Sequence, residues 1–235
     1  QYLCSNCMIM AVNKEVYQSI SGELEKQGVT LVAVSKTKPV SDILELYALG
    51  QRDFGENYVQ ELVDKAQQLP ADIRWHFIGH LQSNKVKFIA PFVHMVHGVD
   101  SWKLLQEISK QAVKQDRVID CLLQVYIAKE ETKFGLDDNE LMQVIEQAAQ
   151  VQPLGKVCIR GLMGMASFSD NMEIVRAEFR HLKIQFDKIR LMVSPVLQPD
   201  TLSMGMSSDY RVAVEEGSNM VRIGSLLFGE RVKPV

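Results

Sequence analysis

The chain has 235 residues and a formal net charge of −3, and 46% of its residues are hydrophobic. These values are typical of a soluble globular protein with a sizeable core. The basic residues are scattered, which argues against nucleic-acid binding. No apolar run approaches the roughly 20 residues of a membrane span, and no secretory signal is recognisable at the amino end. We therefore expect a cytoplasmic protein without nucleic-acid or membrane partners.

The first predicted element is an amphipathic helix over residues 14–27 that ends near Gly28. Eight short apolar runs follow, and each is succeeded by a helical or turn-rich segment. The runs predict strands at residues 31–37, 53–56, 75–79, 95–99, 121–127, 159–165, 202–206 and 220–224. Helix starts are predicted at hydroxyl or carboxylate residues that can accept from free backbone N–H groups. These are Ser41-Asp42, Ser83, Ser101, Asp137-Asp138 and Ser169-Asp170.

Strands that alternate with helices predict a parallel sheet, because parallel neighbours need a crossover connection. Eight such units in about 200 residues favour an α/β fold, a closed (β/α)8 TIM barrel with an extra N-terminal helix. A doubly wound open sheet is the alternative, but the turn after the first strand, residues 36–39, has no glycine. We expect one barrel domain over residues 13–235, preceded by a poorly defined segment, residues 1–12.

Lys36 directly follows the first apolar run and shares its parity with Val32 and Val34. Side chains on a strand alternate between two faces, so Lys36 should point the same way as these valines. A buried ammonium is costly unless it finds a partner or loses its proton. A lysine amine that loses its proton readily can form a Schiff base with an aldehyde. Taken alone, a lysine in solvent at a frayed strand end is the simpler interpretation.

The loops after the last two strands carry hydroxyl and glycine residues, at Ser207-Ser208 and Gly224-Ser225. In (β/α)8 barrels these two loops frequently bind phosphate. The serines are at a predicted helix start, where N–H groups favour an anion, and Gly224 allows close backbone approach. The alternatives are helix-capping serines and a tight turn at Gly224.

A closed barrel brings the first strand beside the eighth, so a phosphate on the last loops would be within reach of an aldehyde on Lys36. One small molecule carries both groups, pyridoxal 5'-phosphate (PLP). Arg222 could face its pyridine nitrogen as a donor. Because arginine stays protonated, that nitrogen would stay unprotonated and the ring would be a poor electron sink. A salt bridge of Arg222 with Asp209, Glu215 or Glu216 is the alternative.

Five motifs in order resemble the pyridoxal phosphate homeostasis proteins, single-domain relatives of the alanine racemase N-terminal barrel. They are residues 34–38, 54–58, 76–85, 202–207 and 221–224, and the resemblance extends over about residues 31–231. It implies PLP bound as an aldimine to Lys36, phosphate contacts around Ser207, Gly224 and Ser225, and Arg222 near the pyridine nitrogen. Asn57 and His80 match positions that line the pocket. Met204 and Gly205 match the stretch beneath the ring.

The resemblance implies a protein that holds PLP and contributes to its intracellular homeostasis without significant catalysis. Racemisation needs a base on each face of the carbanion, and Lys36 can serve only one. In the racemases the second base comes from a β-rich domain, whereas this chain ends at Val235. A second hypothesis is a PLP-dependent racemase or decarboxylase that uses Tyr58, His80 or Tyr210. A third is a barrel that binds a phosphorylated metabolite without a covalent lysine.

The expected ligand is PLP, with PLP-dependent apoenzymes as candidate recipients, and we expect a monomer. The charged residues 129–133 are interpreted as a solvated loop, with a PLP-transfer surface as the alternative. Four dispersed cysteines favour reduced thiols over a disulfide framework, in spite of the C-x-x-C pair at Cys4 and Cys7. No metal site is predicted, because His94 and His97 have opposite parity and no carboxylate cluster joins them.

Overall fold

The structure, a computed structural model, describes residues 12–128, 135–150 and 154–229. Its strands are β1 (Thr30–Val34), β2 (Asp53–Glu56), β3 (Arg74–Phe77), β4 (Met95–Val99), β5 (Ile119–Gln124), β6 (Val157–Met163), β7 (Leu197–Ser203) and β8 (Met220–Ile223). Its α-helices are α1 (Lys14–Lys26), α2 (Val40–Ala48), α3 (Val59–Ala66), α4 (Val86–Ile89), α5 (Trp102–Lys114), α6 (Asp138–Gln150), α7 (Met172–Ile189), α8 (Tyr210–Glu215) and α9 (Ser225–Phe228). A 3-10 turn, Ser83–Lys85, precedes α4.

The strands form one closed parallel barrel in chain order, from β1 to β8. The closure pairs β8 with β1, and Val32 lies opposite Arg222 across it. This arrangement confirms the predicted (β/α)8 barrel with an extra N-terminal helix and excludes the open sheet. Among the described residues, no helix is both long and apolar enough to cross a bilayer.

Two separate apolar cores hold the barrel together. A small cluster inside the barrel comes from five strands: Val32, Met95, Leu122, Met163 and Met220. A larger core fills the space between the sheet and the surrounding helices, and Phe54, Phe77 and Phe179 are among its largest fully buried side chains. Burial of each such side chain contributes about 1.5–3 kcal/mol. The inner cluster leaves the carboxyl ends of the strands available for polar groups.

Helix α1 covers the barrel beside α9 through the buried residues Tyr17, Ile20 and Leu24. Asn13 caps it, since its Oδ1 accepts from Val16 N at 3.1 Å. The Asn13 N–H also donates to Leu227 O at 2.8 Å and so joins α1 to α9. Gly28 follows the helix with a φ of 66°, as the predicted helix end requires.

Six of the eight strands end one to three residues earlier than predicted, and for β1 and β7 the reason is local. The run at residues 31–37 was expected to be one strand, but Thr37 has a φ of 63°, which no strand residue adopts. Similarly, Gly205 has a φ of 99°, and β7 ends before it, at Ser203. Both turns lie at the same edge of the barrel, where they direct the following residues over its mouth.

The predicted helix starts are partly right. Ser101 Oγ accepts from Leu104 N at 3.3 Å, and Asp137 Oδ1 accepts from Glu140 N at 2.8 Å. The prediction for α2 is wrong, because that helix begins at Val40, before Ser41.

The prediction for α7 is also wrong. Asn171 provides its cap, with Oδ1 accepting from Glu173 N at 3.1 Å. The hydroxyl of Ser169 accepts from Asn171 N instead, so it stabilises the preceding turn. Likewise, Ser83 is the first residue of the 3-10 turn and Gln82 precedes it, so Ser83 does not cap α4.

Candidate functional site

A cavity of about 470 Å³ opens at the carboxyl ends of the strands. That volume lies within the range of about 300–1,000 Å³ for small-molecule sites, and this end of the barrel is where the fold carries its reactive groups. Its lining residues are Val34, Lys36, Lys38, Asn57, Ile78, Met165, Phe168, Met206, Ser207, Ser208, Arg222, Gly224, Ser225 and Gly229. They lie on or directly after six of the eight strands, so the closed barrel itself assembles the site.

Lys36 lies two residues beyond β1 on the wall of this cavity. Val32 is fully buried in the inner core, Val34 lines the cavity below the lysine, and Lys36 is half-buried. The three side chains therefore share one direction, as strand parity predicts. A lysine that frays into solvent, the simpler interpretation, does not describe this geometry.

A buried ion pair fixes the residue before Lys36. Ser35 Oγ donates to Glu56 Oε1 at 2.6 Å, and Lys65 Nζ donates to the same oxygen at 2.7 Å. Lys65 Nζ also donates to the Ser35 carbonyl oxygen at 2.8 Å. Burial raises the pKa of the Glu56 carboxyl, although the nearby Lys65 ammonium opposes the shift. The Lys36 loop is thus anchored to helix α3 from outside the barrel.

The same helix fixes the residue after Lys36. Glu61 Oε1 accepts from Thr37 N at 2.6 Å and from Lys65 Nζ at 2.7 Å. Because Thr37 has a positive φ, this contact holds a backbone conformation that costs free energy in a β-branched residue. Both neighbours of Lys36 therefore depend on the Lys65 ion pairs.

The loops after β7 and β8 meet the end of β1. Gly224 N donates to Ser207 Oγ at 3.3 Å, which joins the two loops. A Cβ atom on Gly224 would lie 3.3 Å from both Cβ and O of Val34, so glycine permits this close approach. On the other side, Lys38 Nζ donates to Phe228 O at 2.6 Å. An ammonium and several hydroxyl groups therefore surround one part of the cavity.

The predicted helix start at Ser207-Ser208 is wrong. Helix α8 begins at Tyr210, and Asp209 precedes it. Asp209 Oδ1 accepts from Met206 N at 2.6 Å and closes the turn that contains both serines. Burial raises the pKa of this carboxyl. The serines do not cap α8, and they line the cavity instead.

Arg222 projects from β8 into the interior of the barrel and is only 4% exposed. Its Nη1 donates to Ser203 Oγ at 2.6 Å and to Ser203 O at 2.9 Å, and its Nη2 donates to Gly164 O at 3.1 Å. Burial lowers the pKa of Arg222 to about 10, so the guanidinium keeps its charge near neutral pH. Arg222 therefore acts only as a donor in the cavity.

The salt-bridge alternative for Arg222 is wrong. Within the described part of the chain, no carboxylate lies within 4.0 Å of its guanidinium. Glu216 pairs with Arg176 and Arg180, and Glu215 pairs with Arg176. Those ion pairs join α7 to the end of α8 and serve the fold.

Asn57 supplies an acceptor that the described protein groups do not satisfy. Its Oδ1 is buried and has no hydrogen-bond partner among the described residues. An unsatisfied buried acceptor costs about 1–3 kcal/mol. Because Asn57 lines the cavity, a donor on a bound ligand would remove that cost.

Six of the nine predicted site residues line the cavity: Lys36, Asn57, Ser207, Arg222, Gly224 and Ser225. Met204 is fully buried beneath it. A Cβ atom on Gly205 would lie 2.6 Å from Ala213 Cβ, so Gly205 packs against α8. Binding roles for Met204 and Gly205 stay predictions.

His80 lines a neighbouring cavity of about 530 Å³ together with Tyr58, and Asn57 borders both cavities. The His80 Nδ1 lies 3.1 Å from Asp100 Oδ2. Tyr210 lies at a third depression beside α1. None of these three candidate bases lines the Lys36 cavity.

Sequence reasoning did not place Lys38 or Met206 at the site, whereas Ser208 was predicted with Ser207 on the phosphate-binding loop. Lys38 belongs to the motif at residues 34–38 that resembles the family, which was an available signal. Residues 129–133, discussed above as a charged loop, lie outside the described residues, as do Cys4 and Cys7. Cys121 and Cys158 are buried free thiols. The structure describes no group of three or more His, Cys, Asp or Glu residues arranged to hold a metal.

The fold and the cavity define a class of (β/α)8 barrel proteins. In this class a lysine after the first strand shares a cavity with the loops that follow the seventh and eighth strands. Residues 14–232 match the family of the alanine racemase N-terminal domain. The pyridoxal phosphate homeostasis protein of Pasteurella multocida is 40% identical over 209 residues, 88% of each chain. The human one is 38% identical over 238 residues, 96% of this chain and 86% of that one. This chain belongs to the pyridoxal phosphate homeostasis protein family.

Solved structures agree with this assignment. PipY of Synechococcus elongatus matches with a TM-score of 0.84 and 37% identity in the form without PLP, over 92% of this chain and 99% of that one. The form with PLP bound matches with a TM-score of 0.81 and 38% identity at the same coverage. A D-threonine aldolase from Filomicrobium marinum, at 16% identity and a TM-score of 0.72 over 90% of this chain and 58% of that one, shares the fold alone.

Proposed function

We propose that this protein binds PLP covalently through Lys36 and contributes to intracellular PLP homeostasis as a carrier. The observation that carries the proposal is one cavity wall on which the Lys36 amine and the hydroxyl-rich loops of β7 and β8 lie together. PLP supplies an aldehyde, a phosphate and an electron-withdrawing ring. The residues present fit all three groups, and the unsatisfied Oδ1 of Asn57 marks a place for a ligand donor.

Lys36 provides the covalent contact. Its amine nitrogen would add to the aldehyde carbon of the cofactor, and one water molecule would leave. Helix α3 holds Ser35 and Thr37 on either side, so the lysine backbone is positioned before the ligand arrives. Such preorganisation reduces the entropy lost on binding.

The phosphate would be held by Ser207, Ser225 and the Lys38 ammonium. Hydroxyl groups donate to phosphate oxygens, and a lysine adds a charge-assisted bond. The close approach of Gly224 to Val34 places these groups beside the first strand, where Lys36 lies. Charge and geometry thus select an anionic, phosphorylated aldehyde.

Arg222 and the positions of the three candidate second bases support carrier function over fast catalysis. Arg222 can only donate, so it would keep the ring nitrogen unprotonated and the ring a weak electron sink. Tyr58, His80 and Tyr210 lie outside the cavity that holds Lys36. Lys36 alone can serve one face of a substrate.

The covalent proposal is tested by titration of the purified protein with PLP, followed by absorbance. We expect a yellow complex in the wild type and its loss in Lys36→Ala. Lys14→Ala is the control, because Lys14 is an exposed residue of α1 that pairs with Glu45 of α2. Equal titrations and spectra for the wild type and Lys36→Ala would overturn the proposal and favour non-covalent binding of a phosphorylated metabolite.

Carrier function is tested by two further measurements. In NMR experiments on the loaded protein with D- or L-alanine, we expect α-proton exchange far slower than about one per second, the low end of enzyme turnover. Turnover at or above that rate would establish the racemase alternative. In the second measurement, the loaded protein should reactivate a PLP-dependent apoenzyme at least as fast as an equal concentration of free PLP.

The proposal includes a cytoplasmic monomer. Sedimentation of the loaded protein should give a single species near the monomer mass, and a stable dimer would contradict this part.

A further inference from the structure

A chain of hydrogen bonds crosses the barrel interior from its amino-terminal mouth toward the Lys36 cavity. Asp53, the first residue of β2, lies with Oδ1 3.0 Å from His76 Nε2. His76 Nδ1 lies 2.8 Å from His97 Nε2. The His76 side chain is 1% exposed and His97 is fully buried, so the histidines bond to each other instead of to water.

The chain continues from His97 to the cavity. His97 Nδ1 lies 3.3 Å from Ser203 Oγ, and Ser203 Oγ accepts from Arg222 Nη1 at 2.6 Å. Ser203 is also fully buried. Five strands therefore contribute one residue each to a continuous polar path that ends on a cavity-lining guanidinium.

The two ends of the path fix the direction of its first and last bonds. Arg222 can only donate. Burial opposes ionisation of Asp53, but hydrogen bonds from His76 and Arg74 lower its pKa to about 2, so Asp53 can only accept at neutral pH. Burial lowers the pKa of His97 well below its usual value, and its ring is neutral.

With a neutral His76 ring, one proton assignment satisfies all four bonds, whereas a His76 cation would donate from both ring nitrogens and reverse the two inner bonds. Ser203 accepts from Arg222 in both cases. His76 must carry its proton on Nε2 to donate to Asp53, and its Nδ1 then accepts. His97 must likewise donate from Nε2 to His76, which leaves its Nδ1 as an acceptor. The Ser203 hydroxyl then donates its proton to His97 Nδ1, and the lone pairs of its oxygen accept from Arg222.

We propose that Ser203 and His97 are positioning residues for Arg222, and that the polarised path fixes the direction in which its guanidinium presents donors to the cofactor ring. The inference rests on the proposed function only for the identity of the ligand. Without His97, the Ser203 hydroxyl could rotate and turn its proton toward Arg222. Without the Ser203 hydroxyl, Nη1 would keep only the Ser203 carbonyl oxygen.

His94 provides a matched control. Its ring contacts His76 edge-on, with centroids 5.3 Å apart, as the His97 ring does at 5.1 Å. It does not belong to the hydrogen-bonded path. A His94→Gln variant therefore perturbs the same cluster without touching the link to Arg222.

The first test uses the protein without cofactor. Long-range ¹H–¹⁵N spectra at pH 7 should show His97 as a neutral ring protonated on Nε2. In Ser203→Ala, the His97 Nδ1 resonance should move and the Arg222 guanidinium protons should exchange faster, with both unchanged in His94→Gln. A His97 ring protonated on Nδ1, or unchanged Arg222 exchange in Ser203→Ala, would overturn the inference.

The second test uses the protein loaded with PLP. The loss of one hydrogen bond is worth about 0.5–1.5 kcal/mol, so we expect Ser203→Ala and His97→Gln to weaken PLP binding roughly two- to twelvefold. The absorbance maximum should shift in these variants and stay at the wild-type position in His94→Gln. Equal changes in PLP affinity and in absorbance maximum for all three variants would show that the path has only a structural role.

The outcomes separate the two proposals. If the wild type fails to bind PLP, the proposed function fails, while the spectra of the free protein still decide the positioning of Arg222. If His97→Gln does not fold, as circular dichroism would show, Ser203→Ala decides both tests.

Discussion

Lys65 Nζ donates to the backbone carbonyl oxygen of Ser35 at 2.8 Å, so a helix outside the barrel holds the residue next to Lys36. The Lys65 side chain is 6% exposed, and its partner Glu56 is fully buried. The position of the reactive amine thus depends on a buried charge network that never enters the cavity.

We predict that Lys65→Met destabilises the protein by about 3–5 kcal/mol, because it leaves the Glu56 carboxylate buried without its cation. PLP binding should weaken as well, since Ser35 and Thr37 lose their common anchor. Urea unfolding and a PLP titration measure the two effects. Lys110→Met is the control, because Lys110 forms an exposed pair with Glu107 that is worth less than about 1 kcal/mol. Equal unfolding free energies for the two variants would refute the role of Lys65.

A pair of glycine substitutions tests the turn beneath the cavity. Gly205→Ala should destabilise the protein by about 1–3 kcal/mol, because its φ of 99° is strained for alanine and the new Cβ would contact Ala213. Gly22 lies within α1 with open space around it, so Gly22→Ala should stabilise the helix by about 0.5–1 kcal/mol. Thermal unfolding of both variants gives the comparison, and equal shifts would contradict the packing described for Gly205.

The half-buried His94 predicts a specific dependence of stability on pH. Burial lowers the pKa of His94 from 6.5 to about 4, so the unfolded chain binds a proton in this window that the folded chain does not. The contribution of His94 to stability is complete above pH 6.5 and declines as the pH falls toward 4. Its greatest slope is about 1.4 kcal/mol per pH unit. His94→Gln should flatten the wild-type curve between those limits, whereas parallel curves would show that His94 titrates normally.

The proposed contact between Ser207 and the phosphate predicts a difference in how a substitution affects binding of PLP and of pyridoxal. Ser207→Ala should weaken binding of PLP roughly two- to twelvefold, the cost of one hydrogen bond, and leave binding of pyridoxal, which lacks the phosphate, unchanged. Ser19→Ala, on the exposed face of α1, is the control. Titrations with both ligands decide the case. An equal loss for PLP and pyridoxal would place Ser207 elsewhere on the ligand.

The alternation of strands and helices was sufficient to predict the barrel, and the parity of Val32, Val34 and Lys36 predicted the direction of the lysine. Both signals are local, since side-chain direction follows from the backbone. The helix starts were less predictable. Asn171 and Ser169 can both accept from backbone N–H groups, and only the path of the chain decides which one caps α7.

The interior path could not be predicted from the sequence. Asp53, His76, His97 and Ser203 come from four strands, and their contacts depend on the relative register of those strands. His76 lies opposite Met95 across β3 and β4, which brings it within reach of His97 two residues further on. A register shift of one residue would turn either side chain to the other face of its strand.

Reduction of the PLP-loaded protein with borohydride, followed by peptide mass mapping, tests the central claim most directly. Reduction makes the bond between lysine and cofactor permanent and identifies the modified side chain. We predict the label on the peptide that contains Lys36, with no label in Lys36→Ala. A label on Lys38 or another lysine in the wild type, or none at all, would contradict the account.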